Sequence, residues 1–307
     1  LDFFYINKIP FIAWDDSSQI RNDVRSIYNK IRFISPDKVD WETIKEAYVS
    51  PGIDFNKKFL FKKANRLKLF RDLEIYSQFI KDQKVIAVTG TNGKSTTVNL
   101  IDQMMKNNKT RSFVGGNFGV PLMNFVNQKI KHNFHIIELS SYQLEAAPSF
   151  SPFISILLNI SDDHLDRYGS IKNYAKTKEK IIGKKNNSYF IISVDDNFCN
   201  KIFKKNIKKT NKMIPISTKT KVTNGISFIG DKIFDNFFEK NVIQIKDLSI
   251  SLSGLFNKQN ILAAYVVSRI LEIKKNIFLD TLHCYKGLPH RLEILYDSKK
   301  YLIINNS

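Results

Sequence analysis

The sequence is poor in cysteine and has no long apolar run. Its two cysteines, Cys199 and Cys284, lie far apart in the chain and support neither a disulfide framework nor a metal site. No apolar run approaches the ~18 residues that a membrane helix needs, and the longest, PFISILLNI, has the length of a buried strand. Asp2 interrupts the first residues and no basic segment precedes an apolar core, so we expect no signal peptide. These absences predict a protein of the reducing cytoplasm without membrane insertion.

Acidic residues and arginine are scarce relative to lysine. The chain has 48 Lys and Arg against 29 Asp and Glu, and its net charge of +19 raises the hypothesis of a nucleic-acid binder. The excess is nearly all lysine, is scattered from end to end, and accompanies no nucleic-acid-binding motif. Arginine is the better reader of bases and phosphates. We therefore expect no specific nucleic-acid partner, while a salt-sensitive attraction to polyanions stays open.

Strand and helix patterns alternate along the 307 residues, 43% of which are hydrophobic, enough for two domains and too apolar for disorder. KIPFIAWDD predicts an early strand that ends in two acids, and the segment to about residue 80 predicts part of a small α/β domain. Beyond it, VIAVTG, FHIIELS, FISILLNI and SYFIISVD predict buried strands of a parallel sheet covered on both faces. Short polar strands between GISFIGDKIF and IQIKDLSISLSG predict an antiparallel addition.

The segment TGTNGKST follows the first of these buried strands and precedes a helix pattern. Gly90 and Gly93 allow the backbone N–H groups to turn toward an anion, and the helix N-terminus adds partial positive charge. Lys94 is placed to reach the β- and γ-phosphates of a nucleotide, and Ser95 or Thr96 to ligate Mg²⁺. The alternative is a glycine turn beside a surface lysine.

This loop is a shortened variant of the G-x-x-x-x-G-K-[ST] pattern, because Val88 stands where the first glycine belongs. TGTNGKST resembles the ATP loop of the Mur ligase family, which includes folylpolyglutamate synthetase. Five further stretches resemble the D-glutamate-adding branch of that family. They are SPGI (50–53), GGNFGVPL (115–122), IIELSSYQLE (136–145), LNISDDHLDRYGSIKNYAKTKEKI (158–181) and GLPHRLE (287–293).

Three residues after the buried strands carry the implied metal and catalytic chemistry. Glu138 ends one strand at the carboxyl edge of the predicted sheet, where ligands bind in open α/β folds; the alternative is an exposed strand-end acid. The resemblance makes Glu138 the partner of Ser95 on a first Mg²⁺. It places His164 near a second Mg²⁺, within a motif that Asp166 and Arg167 complete. It also makes Lys178 a carbamylated, metal-binding lysine. For His164 a structural role is the alternative, and for Lys178 a surface helix lysine.

The resemblance implies further ligand contacts. The implied ATP-binding residues are Gly90, Thr91, Asn92, Gly93, Lys94, Ser95, Thr96, Asn257, Asn260 and Arg291, and the implied substrate-binding residues are Asp15, Asn117, Ser140 and His164. The plainer alternatives are routine helix caps for Asn257 and Asn260, turn formers for Asn117 and Ser140, and a hinge salt bridge for Arg291. Phe256 stands where the family usually has histidine.

The implied activity is ATP-dependent amide formation, in which UDP-N-acetylmuramoyl-L-alanine and D-glutamate are joined through an acyl phosphate, with ATP and two Mg²⁺. Lys94, His164 and Lys178 are the implied catalytic residues, and we expect a monomer. The resemblance divides the chain into a partial Rossmann-like UDP-substrate domain (1–80), a central P-loop ATPase domain (81–293) and the start of a C-terminal domain (294–307).

The ends of the sequence depart from the family pattern. The chain does not begin with Met and stops at INNS, where Asn306 stands at a position that the family fills with aspartate. We therefore expect a piece of a longer protein that lacks the D-glutamate-binding domain and does not complete the ligation alone. Three alternatives remain: a related enzyme such as a folylpolyglutamate synthetase, a decayed non-enzymatic fragment, and a lysine-rich nucleic-acid binder.

Overall fold

The computed structural model describes residues 1–54, 67–80, 83–126, 132–209, 212–288, 293–297 and 302–305. The strands are β1 (Glu46–Tyr48), β2 (Lys68–Phe70), β3 (Lys84–Thr89), β4 (Ser112–Gly116), β5 (Phe134–Glu138), β6 (Ile154–Leu157), β7 (Tyr189–Ser193), β8 (Met213–Ser217), β9 (Ile226–Ile229), β10 (Lys232–Asp235), β11 (Asn241–Gln244), β12 (Glu293–Asp297) and β13 (Leu302–Asn305). The helices are α1 (Asp2–Ile6), α2 (Ser18–Ile27), α3 (Asp72–Phe79), α4 (Lys94–Asn107), α5 (Leu122–Val126), α6 (Ser141–Leu144), α7 (Leu165–Tyr168), α8 (Ile171–Glu179), α9 (Asn197–Asn206), α10 (Asn257–Ile270) and α11 (Lys275–Cys284).

A nine-stranded sheet forms the centre of the described structure, with the strand order β11-β10-β9-β8-β7-β6-β3-β5-β4. The strands from β4 to β9 pair in parallel, and β9, β10 and β11 pair antiparallel. The predicted α/β class, with a mainly parallel sheet and a small antiparallel addition, is therefore confirmed. No helix in the described part of the chain combines the length and apolarity needed to cross a membrane.

Helices cover both faces of this sheet, which explains why the strand sequences are almost continuously apolar. Ile86 and Val88 of β3 pack into one hydrophobic cluster with α4, α10 and α11. Val85 and Ala87 point to the opposite face, into a second cluster with α3, α5, α8 and α9. Successive side chains of a strand point to opposite faces of the sheet. A polar residue inside β3 would therefore be buried whichever face it pointed to.

The connections after β3 and β6 leave the sheet on opposite faces. The chain runs from β3 into α4, which packs in the first cluster, and from β6 into α7 and α8, of which α8 packs in the second. Since β3 and β6 are parallel neighbours, their carboxyl ends form a topological switch point. Open α/β sheets bind ligands in the crevice outside such a point.

The N-terminal segment contains a separate parallel pair, β1 with β2. The strand predicted from KIPFIAWDD is wrong as an extended element, because only an isolated bridge between Ala13 and Phe33 is present there. One isolated bridge buries little of the apolar surface of the segment KIPFIAWDD. The division of the chain at residues 80/81 and 293/294 stays a prediction.

Candidate active site

The loop between β3 and α4 is folded tightly around its own lysine. Gly93 caps α4 in the left-handed conformation (φ 84°), which favours glycine. A Cβ at this position would collide with the Asn260 side chain. The ammonium group of Lys94 donates to the carbonyl oxygens of Gly90 at 3.1 Å and Thr91 at 2.8 Å. The segment predicted as a phosphate loop therefore forms a strand-turn-helix unit with its lysine folded over the turn, and its binding of phosphate stays a prediction.

The loop that follows β6 supports this turn. Asn92 N–H donates to Asn159 Oδ1 at 2.8 Å, and Asn159 Nδ2 donates to the Asn92 carbonyl oxygen at 3.1 Å. Thr91 N–H donates to the Asn159 carbonyl oxygen at 2.9 Å. Asn159 was not predicted as a site residue, although it directly follows the buried apolar segment of β6 and lies in the stretch 158–181 that resembles the family.

Lys178 lies inside the protein, so its interpretation as a surface lysine is wrong. Its side chain is 1% exposed, and Nζ donates to the Gly90 carbonyl oxygen at 2.9 Å and the Thr89 hydroxyl at 3.3 Å. Nζ also lies 4.6 Å from the centre of the Tyr174 ring. Burial, with the nearby positive charge of Lys94, lowers the pKa of Lys178 to about 7.

Glu138 is also buried, with only 1% of its surface exposed, so the alternative of an exposed strand-end acid is wrong. Asn117 Nδ2 donates to Oε1 of this carboxylate at 2.8 Å. The second oxygen, Oε2, has no hydrogen-bond partner among the described residues. A buried carboxylate oxygen without a donor is costly unless it meets a cation or a proton. Glu138 thus has the chemistry of an oxygen ligand for a hard metal ion.

His164 precedes α7 in a left-handed conformation (φ 53°) that non-glycine residues rarely adopt. Its ring centre lies 4.8 Å from that of Tyr142 and 6.0 Å from that of Tyr174, and 39% of its side chain is exposed. Nε2 is 3.5 Å from the Asp163 carboxylate. The Tyr174 ring also contacts Lys178, and its hydroxyl lies 3.5 Å from the Thr91 hydroxyl, so Tyr174 links His164 to the loop between β3 and α4.

Two other residues of the His164 motif have different surroundings. Asp166 is exposed on α7. Arg167 pairs with Glu145 at 2.7 Å. Among the residues that the structure describes, no three His, Cys, Asp or Glu side chains gather as a ready-made metal site.

A cavity of about 760 Å³ lies beside the loop between β3 and α4. Asn92, Gly93, Thr96, Asn257 and Asn260 are among its lining residues, so five of the predicted ATP-binding positions share one space. The lining also contains residues that were not predicted, which are Asn159, Asp195, Asp196, Thr218, Lys219, Ser251, Leu255, Phe256, Gln259, Tyr285, Gly287 and Leu288.

The two asparagines at the start of α10 are not helix caps, so that alternative is wrong for both. Asn257 is the first helical residue, after Phe256 at the cap position, and its Nδ2 donates to the Ser251 carbonyl oxygen at 3.1 Å. Asn260 Nδ2 donates to Asn257 Oδ1 at 2.9 Å, and Asn260 Oδ1 accepts from Thr97 on α4 at 3.1 Å. The pair therefore ties α10 to the helix that begins at the phosphate loop.

The remaining predicted residues lie in different places. Ser140 caps α6 in a reciprocal pair with Gln143, two residues after Glu138. Asp15 lies in the N-terminal segment, where its carboxylate accepts from the N–H of Ser17 at 2.9 Å. The predictions for Arg291 and Asn306 fall outside the described residues.

Residues 88–268 match the model of the Mur ligase middle domain. The chain belongs to the Mur ligase family. Two relatives named UDP-N-acetylmuramoylalanine--D-glutamate ligase are similar to it. The protein from Rickettsia bellii is 35% identical over 94% of this chain and 64% of its own length. The protein from Rickettsia prowazekii is 32% identical over 98% of this chain and 67% of its own length. This Mur ligase chain thus spans about two thirds of the length of those relatives.

Solved Mur ligase structures have the same fold. A UDP-N-acetylmuramoyl-L-alanyl-D-glutamate--2,6-diaminopimelate ligase superposes with a TM-score of 0.61, at 18% identity, over 97% of this chain and 69% of that chain. MurF ligase from Thermotoga maritima, solved in complex with ADP, superposes with a TM-score of 0.57, at 17% identity, over 88% of this chain and 72% of that chain.

Proposed function

We propose that this Mur ligase chain is part of an ATP-dependent ligase that joins D-glutamate to UDP-N-acetylmuramoyl-L-alanine in peptidoglycan synthesis. The observation that carries the proposal is the arrangement around Gly90, where two lysines from different helices converge at the switch point of the sheet. The names of the relatives support the choice of substrates. Such a ligase uses ATP, so we place it in the cytoplasm, and we expect it to act as a monomer.

The chemical problem is to bring two anions together, a carboxylate and a triphosphate. Lys94 supplies positive charge at the phosphate loop, and the N-terminus of α4 adds its dipole. When a nucleotide binds, we expect Lys94 to exchange its two carbonyl acceptors for phosphate oxygens. The cavity beside Asn257 and Asn260 is the proposed place of the adenosine part, with Arg291 as a further proposed contact.

The residues present fit a hard divalent cation. The unsatisfied Oε2 of buried Glu138 is a ready oxygen ligand, and the Ser95 hydroxyl lies in the first turn of α4. Ser95 and Glu138 would hold one Mg²⁺, while His164 and a carbamylated Lys178 would hold a second. Bound magnesium neutralises charge on the transferred phosphoryl group.

Carbamylation of Lys178 needs a neutral amine, and a pKa near 7 provides it at physiological pH. The amine nitrogen attacks the carbon of CO₂, one C–O π pair moves to oxygen, and the nitrogen releases a proton. The product is an anionic N-carboxylate. The change from cation to anion removes the repulsion between Lys178 and Lys94.

In the proposed reaction the terminal carboxylate of the acceptor attacks the γ-phosphorus of ATP, and ADP leaves. The neutral amine of D-glutamate then attacks the acyl carbon, the nitrogen of the tetrahedral intermediate loses a proton, and phosphate departs to leave the amide. Asn117, Ser140 and His164 are the proposed contacts to the muramoyl-alanine part, and Asp15 to the uridine part. Holding two reactants in line is worth up to ~7–11 kcal/mol.

The test is Lys94→Ala in the full-length enzyme, with Lys106→Ala as the control, because Lys106 lies on the same helix and is 68% exposed. We expect the first variant to fold but to form no acyl phosphate, measured as acceptor-dependent ADP release, and the control to react normally. Near-normal turnover of Lys94→Ala contradicts the assignment. A folate acceptor that replaced the muramoyl acceptor would favour the folylpolyglutamate alternative.

A further inference from the structure

Arg71 is a fully buried arginine between β2 and α3. Nη1 donates to the carbonyl oxygens of Val49 at 3.2 Å and Ser50 at 2.5 Å. Nη2 donates to the carbonyl oxygen of Ile53 at 2.9 Å and to the carboxylate of Glu145. The guanidinium of Arg71 therefore joins the turn at residues 50–53 of the N-terminal segment to Glu145, which follows β5 in the chain.

A second arginine contacts the same carboxylate and the same turn. Arg167 Nε and Nη2 donate to the two oxygens of Glu145 at 2.8 and 2.7 Å. Arg167 also donates to the carbonyl oxygens of Gly52 at 3.2 Å and Ile53 at 3.0 Å. The Tyr168 hydroxyl donates to Glu145 at 3.0 Å. We call Arg71, Glu145, Arg167 and the turn 50–53 the double-arginine joint.

The joint is attached directly to two helices of the candidate active site. Glu145 is the C-terminal cap of α6, and Ser140 caps the other end of that four-residue helix. Arg167 lies on α7, which begins immediately after His164. A movement of the turn relative to these helices would have to break several charge-assisted hydrogen bonds, which are the stronger kind.

We propose that Arg71 is a positioning residue for the muramoyl acceptor. By holding the turn 50–53 against α6 and α7, it fixes the N-terminal segment relative to Ser140 and His164. The inference rests on the proposed function, in which one acceptor molecule contacts Asp15 in the N-terminal segment and both of these residues. A ligand that spans two parts of a protein binds tightly only if their spacing is set before it arrives.

Only arginine has the geometry for this position. Its planar fork offers five donors in fixed directions, whereas a lysine ammonium is a single point. Arg71→Lys therefore keeps the charge and loses most of the contacts to the turn. Glu145→Gln is a second variant, which keeps the shape of the joint but removes the charge between the arginines. Arg269→Lys is the matched control. Arg269 lies on α10 and also pairs with a carboxylate, that of Glu239, at 2.6 Å.

The experiment measures the affinities for UDP-N-acetylmuramoyl-L-alanine and for ADP with Mg²⁺ by calorimetry, together with the unfolding temperature. For Arg71→Lys and Glu145→Gln we expect acceptor affinity about tenfold weaker, because small displacements of binding groups are costly. ADP affinity should stay within about twofold, since the nucleotide contacts do not cross the joint. Arg269→Lys should match the wild type for both ligands.

Two results would overturn the inference while leaving the proposed function in place. One is wild-type acceptor affinity in both joint variants. The other is an equal loss of acceptor and ADP affinity with a lowered unfolding temperature, which indicates a purely structural role. A wild-type protein that binds ADP but not the acceptor contradicts the proposed substrate and the inference with it.

Discussion

Lys94 and Lys178 donate hydrogen bonds to the same acceptor, the carbonyl oxygen of Gly90, at 3.1 and 2.9 Å. The two lysines come from α4 and α8, which pack on opposite faces of the sheet. Two cations at one carbonyl repel each other, and this repulsion adds to burial in lowering the pKa of Lys178. The arrangement favours either an anionic ligand between the lysines or a chemical change in one of them.

The first prediction is that Lys178 takes up CO₂. With ¹³C-bicarbonate, the wild type should show a carbamate carbon signal in NMR that disappears on acidification, because acid protonates the carbamate nitrogen and releases CO₂. Lys178→Ala should lose the signal. Lys176→Ala, on the exposed side of the same helix, should keep it. A spectrum of Lys178→Ala identical to that of the wild type would refute the modification.

The second prediction concerns Glu138→Gln. The substitution keeps an acceptor for Asn117 and removes the buried charge, so we expect the unfolding temperature to stay the same or rise. The Mg²⁺ concentration needed for half-maximal ADP binding should increase at least about tenfold, because a hard cation loses an anionic ligand. Calorimetric titrations at several Mg²⁺ concentrations measure this, with exposed Glu239→Gln as the control. An unchanged magnesium requirement argues against Glu138 as a ligand.

The third prediction concerns Phe256, an aromatic side chain that is 68% exposed and lines the cavity beside the phosphate loop. An adenine base that stacks on this ring would gain about 1–3 kcal/mol. Phe256→Ala should therefore weaken ADP binding by that amount and leave tripolyphosphate binding unchanged. Val242→Ala, at a 54% exposed position on β11, should affect neither ligand. Equal ADP affinity in Phe256→Ala and the wild type would place the base elsewhere.

The fourth prediction is a loss of stability in acid that depends on His135. This histidine is fully buried, accepts from the Tyr76 hydroxyl at 2.6 Å and donates to Gln83. Burial, with the charge of His132, lowers its pKa to about 4. In the unfolded chain the pKa of His135 is about 6.5. Between pH 4 and pH 6.5 the unfolded chain therefore binds more protons than the folded one. The free energy of unfolding must therefore fall as the pH drops from about 6.5 to about 4.

The size of this effect follows from the difference between the two pKa values and reaches roughly 3 kcal/mol. Urea denaturation at pH 7 and pH 4.5 measures it as the difference between wild type and His135→Gln, which removes the titrating ring. Other groups titrate in both proteins and cancel in the comparison. His283→Gln, at an exposed position, should behave as the wild type does. Parallel pH profiles for wild type and His135→Gln would contradict the prediction.

Local patterns were enough to predict four buried strands of the sheet, its antiparallel addition and the tight glycine-containing turn after β3. Apolar segments bounded by turn residues predicted β3, β5, β6 and β7, and the glycines, Lys94 and Ser95 mark a loop whose function depends on consecutive residues. The position of Glu138 at a carboxyl edge also followed from the strand pattern. The early strand failed as a prediction because a short segment forms a strand only where a partner pairs along its length.

Burial and long-range contacts were decided by the tertiary structure. The amino-acid sequence determined that Lys178 lies on a helix, but its burial required α8 to pack under the loop of β3, 88 residues away in sequence. Arg71 and Glu145, 74 residues apart, likewise meet only because the chain folds the N-terminal turn against α6. Periodicity and short motifs depend on neighbours in sequence. The environment of a charged side chain depends on which distant elements surround it, and here the strand order of the sheet determines those elements.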